Sequence, residues 1–119
     1  MIRPATEASR QAIYQDAMNV IRARYAEHEL SLDQVAREVA TSPRQLQRAF
    51  QEYGQGSFRE ELCRVRVAVA QRLLRADGRL TVRQVADRVG YRQAPQFAKA
   101  FRRVTGTNPA VFRTAALVA

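Results

Sequence analysis

Residues 32–39 read LDQVAREV, and residues 82–89 read VRQVADRV, fifty positions further along the chain. Gln34 and Gln84, Val35 and Val85, Ala36 and Ala86, and Val39 and Val89 are identical pairs. Beyond them, Leu46 and Phe50 of the first copy match Phe97 and Phe101 of the second, at an offset of fifty-one, so the second copy has one extra residue in its turn. Self-similarity at this period means that one supersecondary unit is built twice. The spacing says which unit. Leu32, Val35, Ala36 and Val39 fall at i, i+3, i+4 and i+7, one face of a helix, as do Val82, Val85, Ala86 and Val89. Ser31-x-x-Gln34 and Thr81-x-x-Gln84 are capping boxes, each satisfying two backbone N–H groups that the first helical turn leaves unpaired. In the first copy Ser42, Pro43 and Gln45 then start a second helix as N-cap, N1 and N3. Its inward stripe is Leu46, Ala49, Phe50 and Tyr53. The matching stripe of the second copy is Phe97, Ala100, Phe101 and Val104, with Pro95 in the first turn, where a missing N–H costs little. Each copy is therefore a helix, a turn and a helix.

Two further helices frame the copies. Residues 8–28 form an amphipathic helix with Ile13, Ala17, Val20, Ile21 and Tyr25 inward. Residues 57–75 are an uninterrupted helical stretch opened by a Ser57-x-x-Glu60 box and ended by Asp77-Gly78. Its expected packing residues are Phe58, Leu62, Val65, Val69, Ala70, Leu73 and Leu74. After Thr105-Gly106, Asn108 and Pro109 begin a short final helix that holds Val111 and Phe112. The expected fold is all-α, about seven helices, with two helix-turn-helix subdomains joined by a long connecting helix. The expected organisation is a tail or linker remnant at 1–10, subdomains at 11–56 and 77–115, and the connector at 57–76.

Composition removes several function classes. The 119 residues suit one domain or two small subdomains, and no stretch is long and apolar enough to span a membrane. The polar N-terminal MIRPATEASR lacks the apolar centre of a secretory signal, so a cytoplasmic location is expected. Cys63 and His28 are the single residues of their kinds, which excludes an internal disulfide, a Cys-rich zinc site and a Cys–His catalytic pair. Cys63, within an apolar-periodic stretch, reads as helix packing. No Gly-rich phosphate loop, metal-ligand spacing or nucleophile–base arrangement is present, so neither an enzyme nor a cofactor is expected. What stands out is charge. Twenty Lys+Arg against eleven Asp+Glu give +9, nearly all the cations being arginine, which fits a polyanionic partner.

Position says which polyanion. In a helix-turn-helix the first helix braces a second that enters the major groove of DNA. Opposite the core stripe of residues 43–53 lie Arg44, Gln47, Arg48 and Gln51, with no acid in the row. Arginine can donate two bonds to guanine, and glutamine can bond adenine. The second copy offers Arg92, Gln96, Lys99, Arg102 and Arg103 on its outward side. Arg44, Gln47, Arg48, Gln96 and Lys99 are the expected base contacts; Gln51, Arg92, Pro95, Arg102 and Arg103 are the expected phosphate or secondary contacts. Ala94 and Pro95 weaken hydrogen-bond readout by the second helix and leave it phosphates and thymine methyls. A 19-residue connector is about 28 Å long, against roughly 34 Å for one turn of B-DNA, so one chain, without dimerising, can offer two unequal readers to an asymmetric duplex site. A protein-interaction module is the competing reading, and it would need apolar outward faces.

These segments have a known likeness. SLDQVAREVATSPRQLQRAF (31–50), SFREELCRVRVAVAQRLL (57–74) and TVRQVADRVGYRQAPQFAKAFRRVTGTNPAVFR (81–113) together resemble the DNA-binding region of the AraC/XylS family of bacterial transcription regulators. The likeness runs over residues 11–113, and the closing Val89-Gly90-Tyr91 with Phe97, Phe101, Gly106, Pro109, Phe112 and Arg113 is its most specific part. It implies two helix-turn-helix subdomains on adjacent major grooves, with Arg44, Gln47 and Arg48 at base-contacting positions of the first reading helix. Ala94, Pro95, Gln96 and Lys99 take those positions in the second. It implies a structural role for Arg66, and activation, the family's commoner mode, with RNA polymerase as the further partner. The chain departs from the pattern at Gln55, where the family has glycine, at Glu61, where an aromatic is frequent, and at Ala94 and Pro95, where hydrogen-bonding residues are usual. Many relatives add a ligand-sensing domain, so this chain is either a stand-alone regulator or the DNA-binding part of a longer one.

Overall fold

Capping chemistry sets where the helices begin. The computed structural model describes residues 7–76 and 78–118, and within them the chain forms seven helices and no strand. They are α1 (Glu7–Arg24), α2 (Leu32–Glu38), α3 (Pro43–Tyr53), α4 (Phe58–Ala76), α5 (Val82–Arg88), α6 (Ala94–Thr105) and α7 (Pro109–Val118). Both capping boxes of the repeat are closed: Ser31 Oγ accepts from the Gln34 N–H and Thr81 Oγ1 from the Gln84 N–H, and each glutamine side chain accepts from the backbone of its cap. A third box joins Ser57 and Glu60 at the start of α4. Ser42 caps α3 through the Gln45 N–H, with Pro43 in the first turn.

The turns of the two copies repeat the same backbone bonds. Thr41 N–H reaches the Ala36 carbonyl and Tyr91 N–H the Ala86 carbonyl, both at 2.9 Å, while Ala40 and Gly90 donate to Arg37 and Asp87. This is a Schellman ending, which requires a left-handed residue just past the helix. Gly90 supplies it at φ 107°, and Ala40 adopts φ 59° in the first copy. A second left-handed glycine, Gly106 at φ 85°, ends α6.

The helices divide into two compact units. One takes α1 through Tyr25 and Leu30–Leu62; the other takes Ala26–Glu29 and the chain from Cys63 onward. The division falls inside α4, whose residues through Leu62 belong to the first unit and from Cys63 to the second. In the first unit α1 packs on α2 and α3, burying Ala17, Met18, Val20 and Ile21 against Val35, Ala36, Leu46, Ala49 and Phe50. The Phe50 ring stands edge-on to Tyr14 and Phe58, at 5.3 and 6.0 Å between centroids, geometries that aromatic quadrupoles favour. In the second unit α5 packs on α6 and α6 on α7, around Val85, Ala86, Val89, Phe97, Ala100 and Phe101. Rings run in a chain there from Tyr91 through Phe97 and Phe101 to Phe112. Arg113 Nε donates to the Leu74 carbonyl (3.4 Å), one of the acceptors that the end of α4 leaves unpaired.

Several sequence expectations need correction. The first helix spans Glu7–Arg24 and not 8–28, so residues 7–10 of the expected tail are helical; residues 1–6 and Asp77 lie outside the described residues. On α4 the buried residues are Phe58, Leu62, Val67, Ala70 and Leu74, together with Glu61 and Arg66, whereas Val65, Val69 and Leu73 are half-buried. A reading keyed to apolar residues passes over the two polar members of that stripe. Val104 is 42% exposed, because the core under α6 ends at Phe101. Val111 is 54% exposed: neighbouring helical residues lie about 100° apart, and Phe112 takes the inward direction against Phe101.

Candidate nucleic-acid interface

The first reading face is a consequence of α3's two-sidedness. Leu46, Ala49 and Phe50 are buried to 1% exposure or less, and that fixes the helix's rotation about its own axis. Arg44, Gln47, Arg48 and Gln51 then stand exposed on the other side, one helical turn separating Arg44 from Gln47 and Arg48 from Gln51. No acid lies among those four, and Glu52, which neighbours them, is engaged by Arg10 of α1. The row is a line of donors: guanidinium groups that donate in a planar fork and amides that can donate and accept.

The second face is built alike but equipped differently. Phe97, Ala100 and Phe101 are buried, and Pro95, Gln96, Lys99, Arg102 and Arg103 are exposed, with Ala94 half-buried. Gln93, the N-cap of α6, makes no side-chain capping bond, in contrast to Ser42 on α3. Arg102 and Arg103 occupy the last turn, where cations complement the helix dipole. All ten sequence-predicted contact residues are exposed, Arg44, Gln47, Arg48 and Gln51 in the first unit and the other six in the second. Arg92 differs from the rest. Its guanidinium is held by the Glu29 carboxylate at 2.9 Å, a partner sixty-three residues away that no local pattern indicates.

Two buried polar side chains, one in each unit, tie α4 to neighbouring segments. Glu61, 5% exposed, accepts from the Tyr14 hydroxyl (2.8 Å) and from the Gln55 N–H (3.0 Å). It thereby ties α1 and the turn after α3 to α4. Arg66, 7% exposed, donates to the Glu27 carbonyl (2.8 Å) and lies 5.1 Å from the centre of the Tyr91 ring. Burial lowers the Arg66 pKa from its ordinary value, and Tyr91 opposes that shift. Burial, and then the hydrogen bond with Cys63, push the Tyr91 phenol up to about 12. Cys63 is half-buried beside Tyr91, consistent with packing. Among the described residues no cluster of His, Cys, Asp or Glu could hold a metal ion, and no helix is long and apolar enough to cross a membrane.

Two helix-turn-helix units, each with a buried apolar stripe and an exposed basic-polar face on its second helix, define the class of protein. The known proteins agree. A helix-turn-helix domain family model matches residues 35–115, and the chain belongs to that family, in its AraC type. An uncharacterised HTH-type transcriptional regulator of Mycobacterium tuberculosis is 44% identical over 78 residues, 66% of this chain and 22% of the relative. The chain therefore spans about a fifth of the length of that curated relative. Among solved structures, the C-terminal domain of AraT, a response regulator from Geobacillus stearothermophilus, superposes with a TM-score of 0.82 at 29% identity, over 87% of this chain and 84% of that one. The DNA-binding domain of AdpA, a global transcriptional factor solved in complex with a target DNA, gives 0.78 at 27% identity, over 86% and 90%. These relatives are named as an HTH-type transcriptional regulator, a response regulator and a global transcriptional factor.

Proposed function

We propose that the chain binds double-stranded DNA sequence-specifically, as a monomer, by inserting α3 and α6 into adjacent major grooves of an asymmetric site, and that it activates transcription in the cytoplasm together with RNA polymerase. The observation that carries the reading is the uninterrupted exposed row Arg44, Gln47, Arg48 and Gln51 on a helix that buries Leu46, Ala49 and Phe50 on its other side. Such a row matches the donor and acceptor pattern of base edges in the major groove. Arg44, Gln47, Arg48, Gln96 and Lys99 are assigned to bases. Gln51, Arg92, Pro95, Arg102 and Arg103 are assigned to phosphates or secondary contacts. Activation and the polymerase contact are inferred from the family's commoner mode. An interaction module would present apolar side chains outward, and beyond Pro43 in its first turn every exposed side chain of α3 is polar or charged.

Selection of bound duplexes from a random pool tests the reading directly. The expected result is one enriched motif with two unequal half-sites about one helical turn apart, roughly 10 base pairs from centre to centre. A pool that enriches nothing would remove the proposal. Placing the enriched site upstream of a weak promoter in a reporter strain tests activation, for which the expected outcome is a rise in transcript.

A further inference from the structure

Arg92 stands beside the start of α6, where a cation can meet the phosphates that border the groove, yet it is already occupied. Its guanidinium contacts the Glu29 carboxylate at 2.9 Å, and both side chains are exposed, 61% and 81% respectively. The acid does not sit there by chance of a mobile loop. The two residues before it are also held within the second unit: the Glu27 carbonyl accepts from buried Arg66 at 2.8 Å, and His28 Nε2 lies 3.3 Å from Asp87 Oδ1. A carboxylate on a segment held by the two residues before it offers Arg92 the same chemistry as a DNA phosphate, an anionic oxygen pair accepting from the guanidinium.

We infer that Glu29 is an affinity-setting residue: an internal competitor for Arg92 that a phosphate of the duplex must displace. This rests on the DNA-binding reading above and deepens it. In the free protein the pair neutralises one cation of the interface. On binding, Arg92 exchanges one anion for another while Glu29 is left facing the duplex, so the arginine contributes less than a full phosphate contact. Phosphates carry no sequence information, so the competitor lowers affinity for every duplex alike.

The test uses the whole chain, the duplex enriched by selection and a mixed-sequence duplex of equal length, with fluorescence anisotropy over a salt series. Glu29→Gln removes the charge at an exposed position and keeps the shape. The expected result is binding about two- to fivefold tighter at low salt on both duplexes, the range that corresponds to a surface ion pair. The gain should shrink as salt rises, because the slope of log affinity against log salt steepens by up to about 0.9, one phosphate contact. In an Arg92→Gln background the same substitution should give a clearly smaller gain, that of relieving the carboxylate's own repulsion from the duplex. An equal gain in that background would make Glu29 a general repulsive charge and overturn the pairing. Weaker binding by Glu29→Gln would make Glu29 a positioning residue for Arg92 and overturn the competition. Unchanged affinity of Glu29→Gln, where the wild-type chain binds its selected duplex normally, would sink this inference alone; a wild type that prefers no duplex would sink the DNA reading with it.

Discussion

Ala40 occupies a backbone conformation that an L-residue enters at a cost of about 1–2 kcal/mol, and its counterpart Gly90 enters it freely. Both residues end a helix in the same pair of backbone bonds, so the repeat itself supplies the control. Ala40→Gly should stabilise the chain by about 0.5 kcal/mol, the relief of strain less the extra chain entropy that glycine loses on folding. Gly90→Ala should destabilise it by about 1–2 kcal/mol. Urea unfolding of both variants checks the pair, and like signs would contradict the conformations described. Function has its own single-residue test on α3. Arg48 is exposed and faces away from Phe50 and Leu46, so Arg48→Ala should leave folding unchanged. If Arg48 is bidentate to a guanine, the substitution should cost about 1–3 kcal/mol on the selected duplex and flatten the preference at that one base pair. Binding titrations against duplexes varied at each position would record both effects.

Elements were legible in the chain to the extent that their determinants are local. α2, α3 and α5 begin at Ser31, Ser42 and Thr81, residues whose capping role depends only on the next three positions. The buried stripes of α3 and α6 follow the same logic, since Leu46, Phe50, Phe97 and Phe101 repeat with the helical period. What escaped depends on partners distant in sequence. Glu61 breaks the apolar pattern of α4 because Tyr14 and Gln55 satisfy it, Arg66 does so through Glu27 and had only the family resemblance to mark it as structural, and the pairing of Arg92 with Glu29 has no local signal at all. The end of α1 at Arg24 also escaped, because Tyr25–His28 continue the helical composition while the fold uses them as a turn. At the reading helices the contrast is chemical. α3 carries two arginines and two glutamines on its outer face, whereas the leading turn of α6 carries Ala94 and Pro95, which can offer a thymine methyl only apolar contact. Base-by-base replacement across the selected duplex should therefore give penalties of about 1–3 kcal/mol per pair beneath α3 and clearly smaller ones beneath α6. Equal penalties in the two half-sites would reject the assignment of unequal readers.

Over the whole molecule, the net charge of +9 is not a count of phosphate contacts. Arg10 is engaged by Glu52, Arg24 by Glu38 and Arg92 by Glu29, and Arg66 is buried. The cations that remain on the reading helices are few: Arg44 and Arg48 on α3, and Lys99, Arg102 and Arg103 on α6. The salt dependence of binding should reflect these and not the total, because each neutralised phosphate contributes only about 0.9 to the slope of log affinity against log salt. The two kinds of contact then separate by experiment. Replacing Arg102 and Arg103 together by glutamine should make the slope shallower by about 1.8 and weaken the selected and mixed-sequence duplexes by the same factor. Arg48→Ala should do the reverse, narrowing the ratio between the two duplexes with little change in slope. Should the double glutamine variant also narrow that ratio, the end of α6 reads bases, and the division of labour proposed between its last turn and α3 is wrong.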